Sequence, residues 1–283
     1  MRIDEINDRG FIHAKRGQLE YIQFKNLLNH ESALTHCFTT RKGGVSTGEC
    51  QALNMGFNKK DDRSNVEENY RRLCRELEIE MEHLVFSNQV HEDRVRAVDE
   101  GDRGKGITRE SDIKGYDGLM TDRPGVALVT FYADCVPIFL FDPVRKAIAL
   151  SHSGWRGTVK EIGKVTVGEM AETYGCKGED MIAVVGPSIG ACCFEAGDEV
   201  YSEFAVKFPW NEEVCRKTGE GKWHINLQET IKRTLLSAGV KEQNISISGI
   251  CTKCNKDLFF SHRGDKGRTG SLAAIMQLKQ ASK

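Results

Sequence analysis

Proline is scarce in this sequence of 283 residues, which contains only five. Long apolar runs are also missing, because the longest one, 126–140, is interrupted by Asp134 and Pro137 and is too short to cross a bilayer. The first residues mix charged and apolar side chains and contain no apolar segment typical of a secretion signal. We therefore expect a cytoplasmic protein with no membrane partner.

An excess of charge of either sign is missing as well. Lys plus Arg number 40 and Asp plus Glu number 41, which gives a formal net charge of -1. This balance argues against a general polyanion binder, so we expect no nucleic-acid partner, although a local cationic pocket stays open. Ten cysteines without a secretion signal fit a reducing compartment, where thiols serve as core residues, nucleophiles or metal ligands.

Strand-like runs dominate the pattern of secondary structure. Short β-branched and aromatic runs outnumber the predicted helices and do not alternate with them strictly, which favours an α+β fold with mixed β-sheets. Three helices are predicted to begin at capping boxes, two of them ending at Gly175 and Gly239. The capping pairs are Ser64 with Glu67, Thr158 with Glu161, and Asn226 with Glu229. The irregular stretch 99–117 is predicted to be a surface loop or a flap over a site.

The most informative segment contains two apolar runs, 138–141 and 147–150, on either side of the turn-forming sequence DPVRK. A hairpin centred near Val144 would place Val136 opposite His152. It would also bring Cys135 and His152 together at its open end, because cross-strand neighbours have Cβ atoms roughly 4.5–5.5 Å apart. Two interpretations follow: the pair belongs to a metal site, or it is a thiol nucleophile with its base.

His91 is the third candidate, at the point where another strand-like run gives way to a polar turn. Two imidazoles and one thiolate suit Zn2+ and leave a fourth coordination position for water or substrate. We therefore predict that His91, Cys135 and His152 bind zinc, and we expect the same three residues to be catalytic. Copper is less favoured as the metal. A multicopper oxidase needs many histidines in His-x-His pairs, whereas this chain has eight histidines and no such pair.

Three further strand ends run into loops that contain glycine and arginine: 39–48, 151–157 and 261–270. Glycine lets backbone N–H groups turn toward an anion, and arginine offers a fork matched to phosphate oxygens. None of the loops fits the P-loop pattern. The loops nevertheless predict an oxyanion pocket, and the candidate phosphate-binding residues are Arg41, Arg156 and Arg263.

Two cysteine pairs are harder to interpret. Cys251 and Cys254 have the spacing of a redox motif or zinc knuckle, but no second CxxC or HxxxH completes a set of four ligands. We therefore interpret them as core or loop cysteines. Cys192 and Cys193 lie in a glycine-rich frame, GPSIGACCFEAG, that suggests close backbone packing near a pocket.

Taken together, these motifs resemble the laccase-domain or polyphenol-oxidase-like family, whose members have been assigned as zinc-dependent purine nucleoside phosphorylases. The resemblance covers nearly the whole chain after residue 30, so we expect a single domain over 1–283 with 1–30 as a peripheral N-terminal segment. It rests on TTRKGGVSTG, LNMG, NQVH, DGLMT, ADCVP, HSGWRG, GPSIGACCFEAGDEV and CTKC. Asn54, within LNMG, joins the candidate substrate-binding residues. The sequence departs from the usual pattern at Ser153, Ala191, His262 and Ser271.

The resemblance implies a layered sandwich of mixed β-sheets flanked by helices, and zinc ligands at His91, Cys135 and His152. It also implies phosphorolysis of adenosine, inosine, guanosine or methylthioadenosine, with adenosine deamination as a second activity. The expected partners are a nucleoside and inorganic phosphate, and the expected assembly is a monomer or weak homo-oligomer. Asp134 and Glu195 are candidates for the general acid.

Four alternatives stay open at this point. A metal-independent cysteine hydrolase would use Cys135 as nucleophile and His152 as base. Some relatives are linked instead to editing of peptidoglycan precursors, and the family's older label suggests a copper polyphenol oxidase. A metal-binding interaction module would bind the ion and turn over no nucleoside.

Overall fold

The computed structural model describes residues 10–280. Within them the chain forms fifteen strands and six α-helices. The strands are β1 (Phe11–Arg16), β2 (Leu19–Phe24), β3 (Leu34–Thr39), β4 (Leu84–Phe86), β5 (Val95–Ala97), β6 (Gly118–Thr121), β7 (Ala127–Tyr132), β8 (Val136–Asp142), β9 (Ala147–Ser153), β10 (Ile182–Val185), β11 (Glu195–Gly197), β12 (Cys215–Gly219), β13 (Lys222–Ile225), β14 (Ile245–Ile247) and β15 (Leu272–Leu278). The helices are α1 (Lys25–Leu28), α2 (Arg63–Leu77), α3 (Trp155–Val159), α4 (Ile162–Tyr174), α5 (Asp198–Lys207) and α6 (Leu227–Ser237).

The strands form two six-stranded sheets and one small three-stranded sheet. The first sheet has the order β1-β2-β3-β15-β7-β4, the second β14-β10-β8-β9-β6-β5, and the third β11-β13-β12. Both large sheets are mixed, since β4 runs parallel to β7, β5 to β6 and β10 to β14, while their other neighbours are antiparallel. The prediction of an α+β fold with mixed sheets is confirmed.

The two large sheets pack face to face, with helices on their outer faces. Along β8, Phe139 and Phe141 lie in the core between the sheets, whereas Ile138 and Leu140 pack toward α4 and α6. Helix α2 covers the opposite face of the first sheet through residues such as Tyr70. Every position of β8 and β9 is buried, which explains why residues 136–141 and 147–150 are apolar without alternation.

The hairpin that carries the candidate site forms as expected, but its register differs by one residue. Pro137, rather than Val136, pairs with His152, and Val136 pairs with Ser153. The turn spans four residues, and its backbone N–H groups at Val144 and Arg145 donate to the Asp142 carboxylate. Cys135 nevertheless lies at the open end, directly before β8.

Two of the three predicted helix starts are wrong. Helix α2 begins one residue before Ser64, after Asp62, and no side chain caps it. Thr158 lies inside α3, and Glu161 precedes α4 in a left-handed conformation without capping it. The third prediction is correct, because the Asn226 side chain accepts a hydrogen bond from the Glu229 N–H.

Two further segments contribute buried residues to the fold. Strands β1 and β2, in the segment expected to be peripheral, complete one edge of the first sheet and bury Ile22 and Phe24 in its core. The stretch 99–117 is held by hydrogen bonds such as Gly104 N–H to Leu84 O and buries Ile107 and Ile113. None of the helices in the described residues 10–280 combines the length and apolar character that a membrane crossing requires.

Candidate functional site

Three potential metal ligands converge at the open end of the β8–β9 hairpin. Cys135 precedes β8, His152 lies near the end of β9, and His91 follows β4 in a turn with a left-handed backbone (φ 65°). Their ligand atoms all lie within 4.8 Å of one another. The two imidazole rings are nearly perpendicular, with centroids 4.9 Å apart. The structure therefore brings together the three residues proposed from the sequence.

A buried carboxylate, Asp117, organises this cluster from behind. One of its oxygens accepts hydrogen bonds from His152 Nδ1 at 2.8 Å and the His91 backbone N–H at 2.9 Å. The other accepts from the backbone N–H groups of Val90 and Glu92, each at 2.9 Å. Because Nδ1 of His152 is engaged, its Nε2 is the nitrogen left for a metal. Sequence reasoning assigned Asp117 no role, since a single Asp before a strand has no characteristic spacing.

The charges within the cluster favour a thiolate. Burial opposes ionisation of Cys135, but the charge of His152 and hydrogen bonds from both histidines outweigh it, so the pKa of this thiol is lowered. Burial also opposes protonation of His152, yet Cys135 and Asp117 together raise its pKa. The thiolate is the form in which sulfur binds a metal or acts as a nucleophile.

The residues present fit a bound metal ion. Gly154 leaves the space in front of the ligands clear, because a Cβ there would lie 2.9 Å from His91 Cδ2 and 3.2 Å from Cys135 Sγ. Two imidazoles and one thiolate form a donor set that suits zinc. Three protein ligands are one fewer than a closed structural site uses, so an ion held by these residues would keep a position for water or substrate.

The cluster lines a cavity of about 760 Å³ that also contains cationic and aromatic side chains. The cationic residues of the lining are Lys59, Lys114, Arg156 and Arg263. The aromatic residues are Phe57, Phe86, Phe131, Tyr132, Trp155, Phe194 and His262. The guanidinium of Arg156 stacks over Trp155 at 4.3 Å from the ring centroid. The three potential metal ligands, the cationic side chains and the aromatic rings thus line the same cavity.

Two of the four candidate substrate-binding residues lie outside this lining. The Arg41 guanidinium donates to the backbone carbonyls of Gln51 and Lys256 and lies over the Phe260 ring. The buried amide of Asn54 accepts from the Gly56 and Ser271 N–H groups and donates to Gly56 and Asp61. The polar atoms of Arg41 and Asn54 are engaged within the protein. Arg156 and Arg263 line the cavity, although one guanidinium nitrogen of Arg263 donates to the Glu195 carbonyl.

The two candidate general acids are also engaged. The Asp134 carboxylate accepts from Thr252 Oγ1 at 2.6 Å and from the Arg263 backbone N–H at 2.7 Å. It lines the cavity and holds the Arg263 loop in place. Glu195 lies outside the lining; its side chain pairs with Lys222, and its backbone carbonyl accepts from Arg263. These contacts suit positioning rather than proton transfer.

Lys59 is a cavity cation that sequence reasoning missed. Burial lowers the pKa of its ammonium group. Among residues 10–280 no carboxylate forms an ion pair with it, in contrast to Lys105 and Lys160. An unpaired, partly desolvated cation is suited to an anionic ligand. No motif marks this lysine, because it lies in a polar turn with Lys60 beside it.

Replacing Asp117 by asparagine should weaken metal binding. The variant keeps the size of the side chain but removes the charge that orients His152, and loss of such an outer contact costs roughly tenfold to a hundredfold in metal affinity. Asp142→Asn is the matched control, because Asp142 is also buried and holds backbone N–H groups at the far end of β8. Competition with a chelator measures the affinities; equal affinity in both variants would contradict the role of Asp117.

Comparison with known proteins agrees with the fold and shows the family of the chain. The family described as multi-copper polyphenol oxidoreductase laccase matches residues 35–279. The crystal structure of YlmD from Geobacillus stearothermophilus superposes with a TM-score of 0.88 at 33% identity, covering 95% of this chain and 100% of that one. The protein therefore belongs to this laccase-like family of α+β sandwiches.

Two relatives carry names that describe an activity. YlmD of Bacillus subtilis, named a purine nucleoside phosphorylase, is 34% identical over 245 residues, covering 86% of this chain and 88% of the relative. RL5, from an unknown prokaryotic organism and named an adenosine deaminase, is 37% identical over 238 residues, covering 82% and 90%. At the level of the family, the chain is related to enzymes that process nucleosides.

Proposed function

We propose that the protein is a metal-dependent purine nucleoside phosphorylase, with Zn2+ held by His91, Cys135 and His152. The observation that carries the proposal is the composition of the cavity, in which three metal ligands, cationic side chains and aromatic surfaces line one space. Its volume of about 760 Å³ falls within the range of small-molecule sites. The names of the relatives support a purine nucleoside as the substrate.

The reaction requires a nucleoside and inorganic phosphate side by side. An oxygen of phosphate forms a bond to the anomeric carbon while the bond from that carbon to the purine nitrogen breaks. The electron pair of the broken bond stays with the purine, which takes up a proton, and the products are free base and ribose 1-phosphate. When bound, Zn2+ supplies a Lewis acid at the corner of the cavity.

The side chains of the cavity divide this work. Arg263 and Arg156 bind phosphate, because guanidinium groups form bidentate charge-assisted hydrogen bonds with its oxygens. Lys59 adds a compact positive charge. Asp134 fixes the Arg263 backbone, so the arginine approaches phosphate from a set position. Trp155, already stacked with Arg156, offers a flat surface for the purine.

Adenosine deamination is the second candidate, and the observation that favours it is the similarity to RL5. In that reaction water replaces the amine of adenosine, ammonia leaves, and phosphate is not consumed. A metal ion held by His91, Cys135 and His152 would serve both reactions, since each needs a polarised substrate or nucleophile. Consumption of phosphate therefore separates the two.

A metal-independent cysteine hydrolase accounts for fewer of the contacts. Asp117, His152 and Cys135 do align in the order of a carboxylate, a base and a thiol nucleophile. That mechanism needs no second imidazole, whereas His91 approaches the same sulfur and shares Asp117 with His152. A peptidoglycan-editing activity has no specific support in the cavity. A copper oxidase is disfavoured by the eight histidines of the chain.

Arg263→Ala should raise the phosphate KM by about tenfold or more while the cavity metal stays bound. A hydrogen bond to a charged group contributes about 1.5–3 kcal/mol, and 1.4 kcal/mol corresponds to a factor of ten. Arg268→Ala is the matched control, because Arg268 lies in the same loop but pairs with Glu49 outside the cavity lining. Initial rates at varied phosphate measure both constants. An unchanged KM in Arg263→Ala would place phosphate elsewhere.

A further inference from the structure

A second group of sulfur ligands lies beside the cavity wall. Cys192 and Cys193 meet Cys251 and Cys254, and the four Sγ atoms all lie within 4.8 Å of one another. Two of the distances are 3.6 Å, from Cys192 to Cys254, and 3.5 Å, from Cys193 to Cys254. All four thiols are free. The sequence led us to interpret Cys251 and Cys254 as core or loop cysteines because two further ligands were missing, and the structure places Cys192 and Cys193 beside them.

The spacing of these sulfurs matches tetrahedral coordination of one ion. A zinc–sulfur bond of about 2.3 Å places the corners of a regular tetrahedron about 3.8 Å apart. A disulfide would instead require about 2.05 Å between two sulfurs. An iron–sulfur cluster distributes its cysteines over several irons and needs them farther apart than a single ion does. One thiophilic ion is thus the best fit.

Backbone contacts hold the two cysteine segments together independently of the thiols. Ser188 and Cys251 form a bridge, and the Thr252 N–H donates to the Ser188 carbonyl at 2.9 Å. Gly190 provides the close approach, since a Cβ there would lie 3.1 Å from Cys251 Cβ and 3.4 Å from Cys192 Sγ. The ligands are therefore positioned before any ion arrives, which lowers the cost of binding it.

We propose that Cys192, Cys193, Cys251 and Cys254 bind a second Zn2+ ion, in a closed structural site distinct from the cavity site. Four protein ligands leave no open position for water or substrate, so this ion has a structural role. Cys192 and Cys254 are exposed and provide the entry path that a metal site needs. The proposal does not depend on the reaction assigned to the cavity.

The position of this site connects it with the anion-binding wall. Ile189 and Phe194, on the segment that carries Cys192, line the cavity. Thr252, on the other segment, donates to Asp134, which also holds the Arg263 backbone. An ion that joins the two segments would therefore fix the wall from which Arg263 reaches the cavity.

Elemental analysis of purified variants tests the proposal. We expect two zinc ions per chain in the natural protein, one in Cys135→Ala, one in Cys254→Ser and none in the double variant. Cys176→Ala, which removes a buried cysteine outside both clusters, should keep two. One ion in the natural protein and none in Cys135→Ala would overturn the proposal, as would unchanged metal content in Cys254→Ser.

A spectroscopic measurement keeps the proposal testable if Cys254→Ser folds poorly. In Cys135→Ala, which lacks the cavity thiol, the bound metal is first removed with a chelator under reducing conditions, and added Co2+ should then produce the intense thiolate-to-metal charge-transfer bands of a four-sulfur site. The free-thiol count should fall by four on Co2+ binding and return when a chelator is added. A weak spectrum without sulfur bands would overturn it.

Discussion

Cys135→Ala is expected to remove the cavity metal and to reduce nucleoside turnover to the uncatalysed background. The sulfur is the only anionic ligand of the three, and the two remaining imidazoles cannot hold a zinc ion tightly. Asp117 does not compensate, because all four of its hydrogen bonds are used to position His152 and the turn at His91. Metal content should fall by one ion per chain, and release of free base should fall with it.

Cys176→Ala is the control for this loss. Cys176 is as buried as a core residue but lies outside both cysteine-containing ligand groups, so metal content and turnover should both persist. Elemental analysis and chromatography of the released base measure the two effects on the same preparation. If Cys135→Ala kept the full metal content, the proposed ligand set would be wrong. If it lost activity with the metal still bound, a nucleophilic role for the thiol would gain support.

Release of free base should depend on inorganic phosphate in an all-or-none manner. The cavity is lined by Lys59, Arg156 and Arg263. The nucleoside is uncharged, so binding it does not require these positive charges. An oxyanion in this part of the cavity accounts for them, because it would form charge-assisted hydrogen bonds with the guanidinium and ammonium groups. We therefore expect ribose 1-phosphate to appear in equal amount with the base.

The local part of the site could be predicted from the sequence. Cys135 and His152 lie on two runs joined by a short turn, so their proximity follows from hairpin pairing, even though the register is shifted by one residue. The shift leaves the site unchanged because Cys135 lies beyond the last pair. The mixed-sheet fold was also predictable, since the apolar runs are numerous and short.

Contacts between distant segments could not be predicted from spacing. Asp117 reaches His152 across 35 positions, and Cys192 meets Cys254 across 62. No sequence motif links the two residues of either pair, because only the tertiary fold brings them into contact. For the cysteines, the available signal was the presence of two pairs in one sequence, Cys192 with Cys193 and Cys251 with Cys254, but each pair alone supplies only two ligands.

The substrate-binding role of polar residues in glycine-rich loops stays a prediction. Arg41 and Asn54 occur in motifs that suggest ligand binding, yet their polar atoms satisfy backbone groups of neighbouring loops. The backbone N–H and C=O groups of a buried loop must form hydrogen bonds within the protein. A polar side chain in such a loop can therefore either bind these groups or bind a ligand. Only the fold distinguishes these two from Arg156 and Arg263.

The central claim is tested most directly by incubating the purified protein with adenosine or inosine, with and without phosphate and with and without a chelator. Chromatography then measures the base, ribose 1-phosphate and, from adenosine, inosine. The account predicts base and ribose 1-phosphate only when both phosphate and metal are present. Conversion of adenosine to inosine without phosphate would reveal deamination by the same site. Base release that does not change with phosphate would contradict the phosphorylase assignment, even with zinc bound at His91, Cys135 and His152.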